Sequence, residues 1–332
     1  MRVFITGGTG LIGRNLTQRL LERGDEAVVL TRSPDKPGAK RLAATVQRVQ
    51  GDPMVAGEWS RAVDGCDAVV NLAGQNIFGK RWDADVRRSI RDSRVFSTGN
   101  VVAAMATAKS PPKTLVQASA IGYYGPHGDE DVIETTPPGS DFMAQVCIDW
   151  EKASEPAEAL GARRAVIRIG VVLAPNEGAL GVMTPIFKWL PGGAAPVGGG
   201  HPLKPAFGKV WLSWVHIDDI VGLLLLAIDN PQARGAINGT APNPVRNADF
   251  GRALAKAVHR PFLPIGPPDA LLKLVLGDVA EVITSGLKVI PKRAKELGYQ
   301  FAYPEVSAAL AAIFAKKQTE SPTTKPARAV GA

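Results

Sequence analysis

The sequence predicts an α/β protein with a doubly wound parallel sheet and a smaller, mostly helical C-terminal lobe. Three observations carry that prediction. Short β-branched runs alternate with longer stretches of helical periodicity, a glycine-rich turn joins the first run to the first helix, and helical periodicity takes over well beyond about Gly170. Strand–helix–strand alternation requires right-handed crossovers, which place helices on both faces of a parallel sheet. At 332 residues, 45% hydrophobic and 21% charged, the chain has globular composition and enough length to bury a core without staples.

In chain order, Val3–Thr6, Glu26–Thr31, Thr45–Val49, Ala68–Asn71, Thr114–Ala118 and Ala165–Ile169 read as strands from their β-branched and apolar content. Leu11–Arg23, Asp83–Ala108 and Asp141–Leu160 read as helices, with apolar residues at helical spacing. Pro191–Gly200 is a Pro/Gly/Ala loop, Val210–Val215 a strand, and Asp218–Ile228 and Ala248–Ala257 helices, with Asp218 as an N-cap. Asp269–Leu276, Val279–Leu287, Pro291–Leu297 and Pro304–Ala315 are helical in pattern. These elements divide the chain into a dinucleotide-binding core (1–170), a substrate-side and helical lobe with room to share strands with that core (171–315), and a Lys/Thr/Pro/Ala-rich disordered tail (316–332).

Composition narrows the function classes. A net charge of +8, part of it in the tail, comes with only 6% aromatics, and no basic stretch is interleaved with them, so no nucleic-acid footprint is visible. Cys66 and Cys147 are too few for a disulfide framework or a cysteine zinc site and fit a reducing compartment. The longest apolar run, Ile220–Ile228, is far short of the roughly 20 residues of a spanning helix. A cytoplasmic protein without a membrane partner is expected.

The strongest motif is Thr6-Gly7-Gly8-Thr9-Gly10-Leu11-Ile12-Gly13, placed between a strand and a helix. That context makes it a Rossmann-type dinucleotide turn. Gly7 takes the sharp bend, Gly10 lets backbone approach a pyrophosphate, and Gly13 lets the helix pack on the strand. Thr9, Leu11 and Ile12 complete the cradle. At the end of the second strand, where an NAD site carries an acid for the ribose 2′-hydroxyl, the residues are Thr31-Arg32-Ser33. Arg32 either pairs with a 2′-phosphate, which favours NADP(H) over NAD(H), or is a solvated surface arginine. Asp52, after the third strand, either accepts a bond from the adenine amino group or caps the next helix. Leu72, Ala73 and Gly74, after the fourth, are small enough for close approach and line the adenosine side with Thr31.

Together with this turn, Asn71–Ile77, Lys80-Arg81-Trp82, Ser93-Arg94-Val95, Ser119–Gly125, Gly139–Phe142, Asp149-Trp150-Glu151, Arg168–Leu173, Ser213–Asp219 and Ala241–Pro244 resemble the atypical extended short-chain dehydrogenase/reductases. The likeness is closest to their epimerase-like branch, labelled SulA-like or nucleoside-diphosphate-sugar epimerase-like. It runs from Met1 to about Leu310, including the branch's small helical C-terminal domain. The resemblance implies NADP(H), in agreement with Arg32. It also implies backbone contacts from the Gly170–Val172 segment to the nicotinamide carboxamide, and places Arg94 toward the cofactor phosphates or nicotinamide unless it is a surface charge.

In that superfamily a Ser holds the substrate oxygen, a Tyr transfers the proton, and a Lys four residues later lowers the Tyr pKa. Ser119 matches the first. Matching Glu151 to the acid that follows the lysine puts Met143 and Cys147 where the other two would stand. Tyr123 and Tyr124 are the substitute proton donors, or else packed aromatics. The expected function is an NADP(H)-dependent oxidoreductase or epimerase acting on a small, nucleotide-sugar-like substrate. The alternative is an NADPH-binding regulator without turnover. His216 is read as fixing a loop, and His201–Lys209 as a loop longer than the branch's usual linker.

Overall fold

The computed structural model describes residues 1–77, 81–189, 210–262 and 286–319. Six strands from the first half, β1 (Arg2–Thr6), β2 (Glu26–Thr31), β3 (Gln47–Gln50), β4 (Ala68–Asn71), β5 (Thr114–Ala120) and β6 (Arg163–Ile169), form one parallel sheet. A seventh strand, Gly235–Gly239, joins the edge beside β6, so the order is β3-β2-β1-β4-β5-β6 followed by that strand. Residues beyond 170 therefore complete the central sheet.

Both faces of the sheet are apolar, because successive side chains point to opposite sides. Val3, Ile5, Val29, Val70 and Val116 face α1 (Leu11–Glu22), which contributes Leu16 and Leu20. Phe4, Val28, Leu30, Val69 and Leu115 face α3 (Ala84–Thr107), which contributes Val101, Val102 and Met105. Between those two helices come the one-turn α2 (Pro37–Lys40) and a short 3-10 turn over Glu58–Val63. The predicted Asp141–Leu160 helix is broken. α4 (Phe142–Ser154) stops before Pro156, which has no N–H to continue the ladder, and a single turn, α5 (Pro156–Ala159), follows.

Beyond β6 come β7 (Val171–Ala174), α6 (Gly178–Trp189), β8 (Trp211–Leu212), β9 (Trp214–His216), α7 (Ile217–Asp229), the edge strand β10 (Gly235–Gly239), β11 (Val245–Arg246) and α8 (Asn247–Ala257). The predicted Val210–Val215 strand is two strands. Ser213 separates β8, which pairs antiparallel with β11, from β9, which pairs parallel with β7. The Ser213 hydroxyl is turned inward, donating to Leu287 O at 2.6 Å and accepting from Val289 N at 2.9 Å. Asp218 is not the cap of α7. His216 is, its Nδ1 accepting from Asp218 N at 3.1 Å while its ring stacks on Tyr303.

The described part ends with α9 (Lys292–Glu296) and α10 (Val306–Thr319). α10 packs Val306, Ala309, Leu310 and Ile313 against Phe250 and Leu254 of α8, Leu180 of α6 and Trp214. It runs through Lys316, where a disordered tail was expected to begin. The expected helices at Asp269–Leu276 and most of Val279–Leu287, the Pro191–Gly200 and His201–Lys209 loops, and Lys80 lie outside the described residues. Gly286 and Leu287, the described end of that span, are not helical.

Candidate functional site

The sheet order reverses between β1 and β4. Connections run to β2 and β3 on one side and to β5 and β6 on the other, leaving a crevice outside the strand ends. The glycine turn fills its floor. Gly7 has φ +66°, and a Cβ there would stand 2.6 Å from Leu72 O. A Cβ on Gly13 would stand 2.4 Å from Gly7 O. Side chains are therefore excluded where the first turn of α1 crosses β1. Gly10 caps α1 with no side-chain acceptor, so the N–H groups of the first turn stay available to an anion. This cradle fits a dinucleotide pyrophosphate. At its rim, Arg14 Nη1 donates to Thr9 O at 2.7 Å. Arg14 Nη2 and Arg41 Nη1 both reach Glu177, at 2.7 and 2.8 Å.

On the adenosine side, Thr31 is buried and its hydroxyl accepts from Ser33 N at 3.3 Å. Arg32 is exposed, with no hydrogen-bond or ionic partner among the described residues. Asp52 does not cap a helix. Its Oδ1 accepts from Met54 N at 3.0 Å within a local turn, and the next helical turn begins at Glu58 behind Gly57. Leu72 N and Ala73 N are held by Thr6, through its carbonyl and its hydroxyl. Under them lies a buried polar chain. Thr6 Oγ1 donates to Asn71, whose Nδ2 donates to Thr98 at 2.8 Å and Gln117 at 2.9 Å. Gly74 is exposed in front of the Arg94 guanidinium.

On the other side, α4 presents Met143, Cys147 and Glu151, spaced by four, along one stripe toward the end of β5. A Cβ at Gly122 would lie 3.5 Å from Met143 Cβ and 3.9 Å from Cys147 Sγ. Burial, with the charge of Glu151 adding, pushes the Cys147 thiol up to about 12, so it is neither base nor fixed cation. Ser119 Oγ donates to Glu151 Oε1 at 2.7 Å, and Arg168 holds both oxygens of that carboxylate at 2.9 Å. Burial works against the Arg168 charge, yet the bonds to Glu151 raise its pKa overall.

The two tyrosines part company here. Tyr124 is buried, its hydroxyl donating to Asn238 Oδ1 at 2.6 Å and accepting from Arg168 Nη1 at 3.0 Å. Burial pushes its pKa up to about 12. It is a packed structural phenol, which corrects its candidacy as proton donor. Tyr123 is half-buried, with Arg168 stacked 3.4 Å from its ring centroid and no hydroxyl partner among the described residues. Arg94 is a partly buried cation held against the fold, not a freely solvated surface charge. It lies 5.0 Å from the Trp150 ring centroid and donates to Ile90 O and Gln75 O. Val172 sits in β7, opposite Val215 and packed against the core on the α1 face.

Sequence reasoning used Glu151 only as an alignment marker and missed Arg168 and Asn238 as site-forming residues. A charged residue inside an apolar strand, as at Arg168, was the available signal.

Comparison with known proteins accords with this geometry. The model of the NAD dependent epimerase/dehydratase family matches residues 3–238, and a domain of unknown function matches residues 267–313. A chloroplastic epimerase family protein SDR39U1 homolog of Arabidopsis thaliana is 42% identical, covering 94% of this chain and 86% of its own. The Homo sapiens epimerase family protein SDR39U1 is 36% identical, covering 95% and 100%. A crystal structure of the human SDR39U1 protein with NADPH superposes with a TM-score of 0.82 at 34% identity, over 95% of this chain and 99% of that one. A Corynebacterium glutamicum nucleoside-diphosphate sugar epimerase superposes with a TM-score of 0.71 at 32% identity, over 96% of this chain and 61% of that one. The chain belongs to the NAD dependent epimerase/dehydratase family, in the group of SDR39U1-type epimerase family proteins.

Proposed function

We propose that the chain binds NADP(H) across the β1/β4 crevice and works as an oxidoreductase or epimerase on a small substrate of the nucleotide-sugar kind. The carrying observation is the glycine cradle combined with an exposed Arg32, unpaired among the described residues, where a 2′-hydroxyl-binding acid would stand. The NADPH in the human relative's crystal structure supports the cofactor, and the name of the Corynebacterium relative supports the substrate class.

Gly7, Thr9, Gly10, Leu11, Ile12 and Gly13 hold the pyrophosphate. Arg32 pairs with the 2′-phosphate, and Thr31, Asp52, Leu72, Ala73 and Gly74 wall the adenosine side. Arg94 and Val172 belong to the nicotinamide side. The bound cofactor supplies a hydride donor or acceptor. Ser119, whose proton is held by Glu151, offers its lone pairs to a substrate hydroxyl. Tyr123, whose hydroxyl has no partner among the described residues, takes or returns the proton. Neither cysteine forms a disulfide, in keeping with a cytoplasmic setting, although the Arabidopsis relative is named chloroplastic. Among the described residues, no helix is long and apolar enough to cross a membrane.

The test is a titration of the protein with NADPH and with NADH, repeated on Arg32→Ala. NADPH binds at least tenfold more tightly than NADH, and the variant loses that preference. Equal affinity for the two in the unaltered protein refutes the assignment. A second reading, an NADPH-responsive regulator without turnover, is favoured by Met143 and Cys147 standing where proton-transfer residues are expected. Its signature is a partner affinity that changes on adding NADPH, with no hydride transfer to any carbonyl or nucleotide sugar.

A further inference from the structure

The crevice contains two arginines in different electrostatic states, Arg168 buried and Arg94 partly buried. Arg168 is neutralised by both oxygens of Glu151. Arg94 has no carboxylate in pairing range among the described residues, and its guanidinium bonds only to the Ile90 and Gln75 carbonyls. The acids nearest in sequence on the same two helices are committed elsewhere: Asp92 and Asp149 both pair with Arg91, at 3.3 and 2.7 Å. The neighbouring Cys147 thiol does not compensate Arg94 either, since burial keeps it protonated. Burial lowers the Arg94 pKa, and it remains an arginine, charged at every working pH.

The charge also has a defined place. With the pyrophosphate on the glycine turn and the adenosine toward Arg32 at the end of β2, the nicotinamide half of a dinucleotide has to run the other way, past residues 72–75 and Ser119. Arg94 stands directly behind that wall, its Cζ 3.3 Å from where a Gly74 Cβ would be. The Gly74 backbone lies against the guanidinium on one side and the Trp150 ring on another.

We infer that Arg94 makes this site discriminate between the two redox states of the nicotinamide, favouring the neutral reduced ring over the cationic oxidised one. Like charges repel with an energy inverse to both their separation and the local dielectric. At an effective dielectric of about 20, a unit charge held within about 10 Å of another is worth on the order of tenfold in affinity. Because adenosine and phosphates are the same in both states, the effect falls on the ratio of the two affinities. Arg94 thereby biases the site toward holding NADPH, which suits reduction, or reporting the NADPH level, better than net oxidation.

The inference rests on the NADP(H) reading, and one experiment separates the two. Dissociation constants for NADPH and NADP+ are measured on the full chain by tryptophan fluorescence at fixed ionic strength, for the unaltered protein, Arg94→Lys, Arg94→Gln and Arg94→Met. The unaltered protein binds NADPH more tightly than NADP+, Arg94→Lys keeps most of that preference, and the two neutral variants shrink it by about tenfold. Arg94→Met, which keeps apolar contact with Trp150, serves if the glutamine variant does not fold. No binding of either nucleotide defeats the cofactor reading itself. Binding of both with equal affinity overturns this inference alone. So do neutral variants that weaken NADPH and NADP+ in parallel, the pattern of a phosphate contact or a purely structural role.

Discussion

Arg168 on β6 and Glu151 on α4 meet as a two-pronged ion pair, both carboxylate oxygens 2.9 Å from guanidinium nitrogens, and one of those oxygens also receives the Ser119 hydroxyl at 2.7 Å. The side chains are 5% and 13% exposed, so the pair is largely cut off from solvent. A buried pair of this kind orients its neighbours more surely than it stabilises the fold, because desolvation offsets most of the attraction.

Removing one partner is another matter. Glu151→Gln leaves Arg168 buried with an uncompensated charge and puts an amide N–H donor where one carboxylate oxygen accepted. A loss of about 3–5 kcal/mol in urea unfolding is expected. A loss under about 1 kcal/mol means that water reaches the guanidinium.

The adjacent tyrosines should respond oppositely. Tyr124→Phe strips a donor from Asn238 and an acceptor from Arg168, costing about 1–3 kcal/mol of stability. Tyr123→Phe removes a hydroxyl with no partner among the described residues, so stability moves by less than about 0.5 kcal/mol. Hydride transfer, once a substrate is found, should fall about 100-fold or more in Tyr123→Phe. Thermal unfolding of both variants and single-turnover NADPH oxidation measure the two effects separately.

What the sequence made legible was local. β1, β2 and β4 announce themselves as β-branched runs, and the Gly7–Gly13 turn is readable because the bend, the close approach and the helix packing all fall within one short segment. The features that were misread depend on distant partners. Gly235–Gly239 has weak strand content and becomes a strand only by pairing with β6. Val210–Val215 divides because its two ends pair with β11 and β7. Tyr123 and Tyr124 are indistinguishable as neighbours in a sequence. Only the arrival of Asn238, across the sheet from β10, commits one hydroxyl and leaves the other.

Alkaline pH should destabilise the protein. Burial raises the thiols of Cys66 and Cys147 to about 11 and about 12 from 9.0. Between the unfolded and folded values the native state keeps protons that the unfolded chain releases, so stability falls as pH rises above about 9. The slope approaches about 1.4 kcal/mol per pH unit for each thiol. Urea midpoints at pH 8 and pH 10 measure it, and Cys147→Ala should flatten the dependence. Native protein should react slowly with a thiol reagent at both cysteines, since both are buried. A fast-reacting thiol at pH 8 contradicts the burial.

Two glycine substitutions of identical chemistry should have opposite outcomes. In Gly13→Ala the new methyl would stand 2.4 Å from Gly7 O and 2.5 Å from Gly8 Cα. Neither is the movable end of a side chain, so α1 has to lift from the turn. About 1–3 kcal/mol of stability should go, and NADPH binding should be lost, because the first-turn N–H groups move with the helix. In Gly99→Ala, midway along α3, nothing lies within 4 Å of the new carbon. Replacing a helical glycine there reduces the freedom of the unfolded chain and should add about 0.4–1 kcal/mol. Nucleotide binding should not change, since α3 buries its core face through Val101, Val102 and Met105 and not through Gly99. Equal NADPH affinity in both variants would mean that the pyrophosphate does not rest on the start of α1. The cradle would then be only a packing device between a strand and a helix.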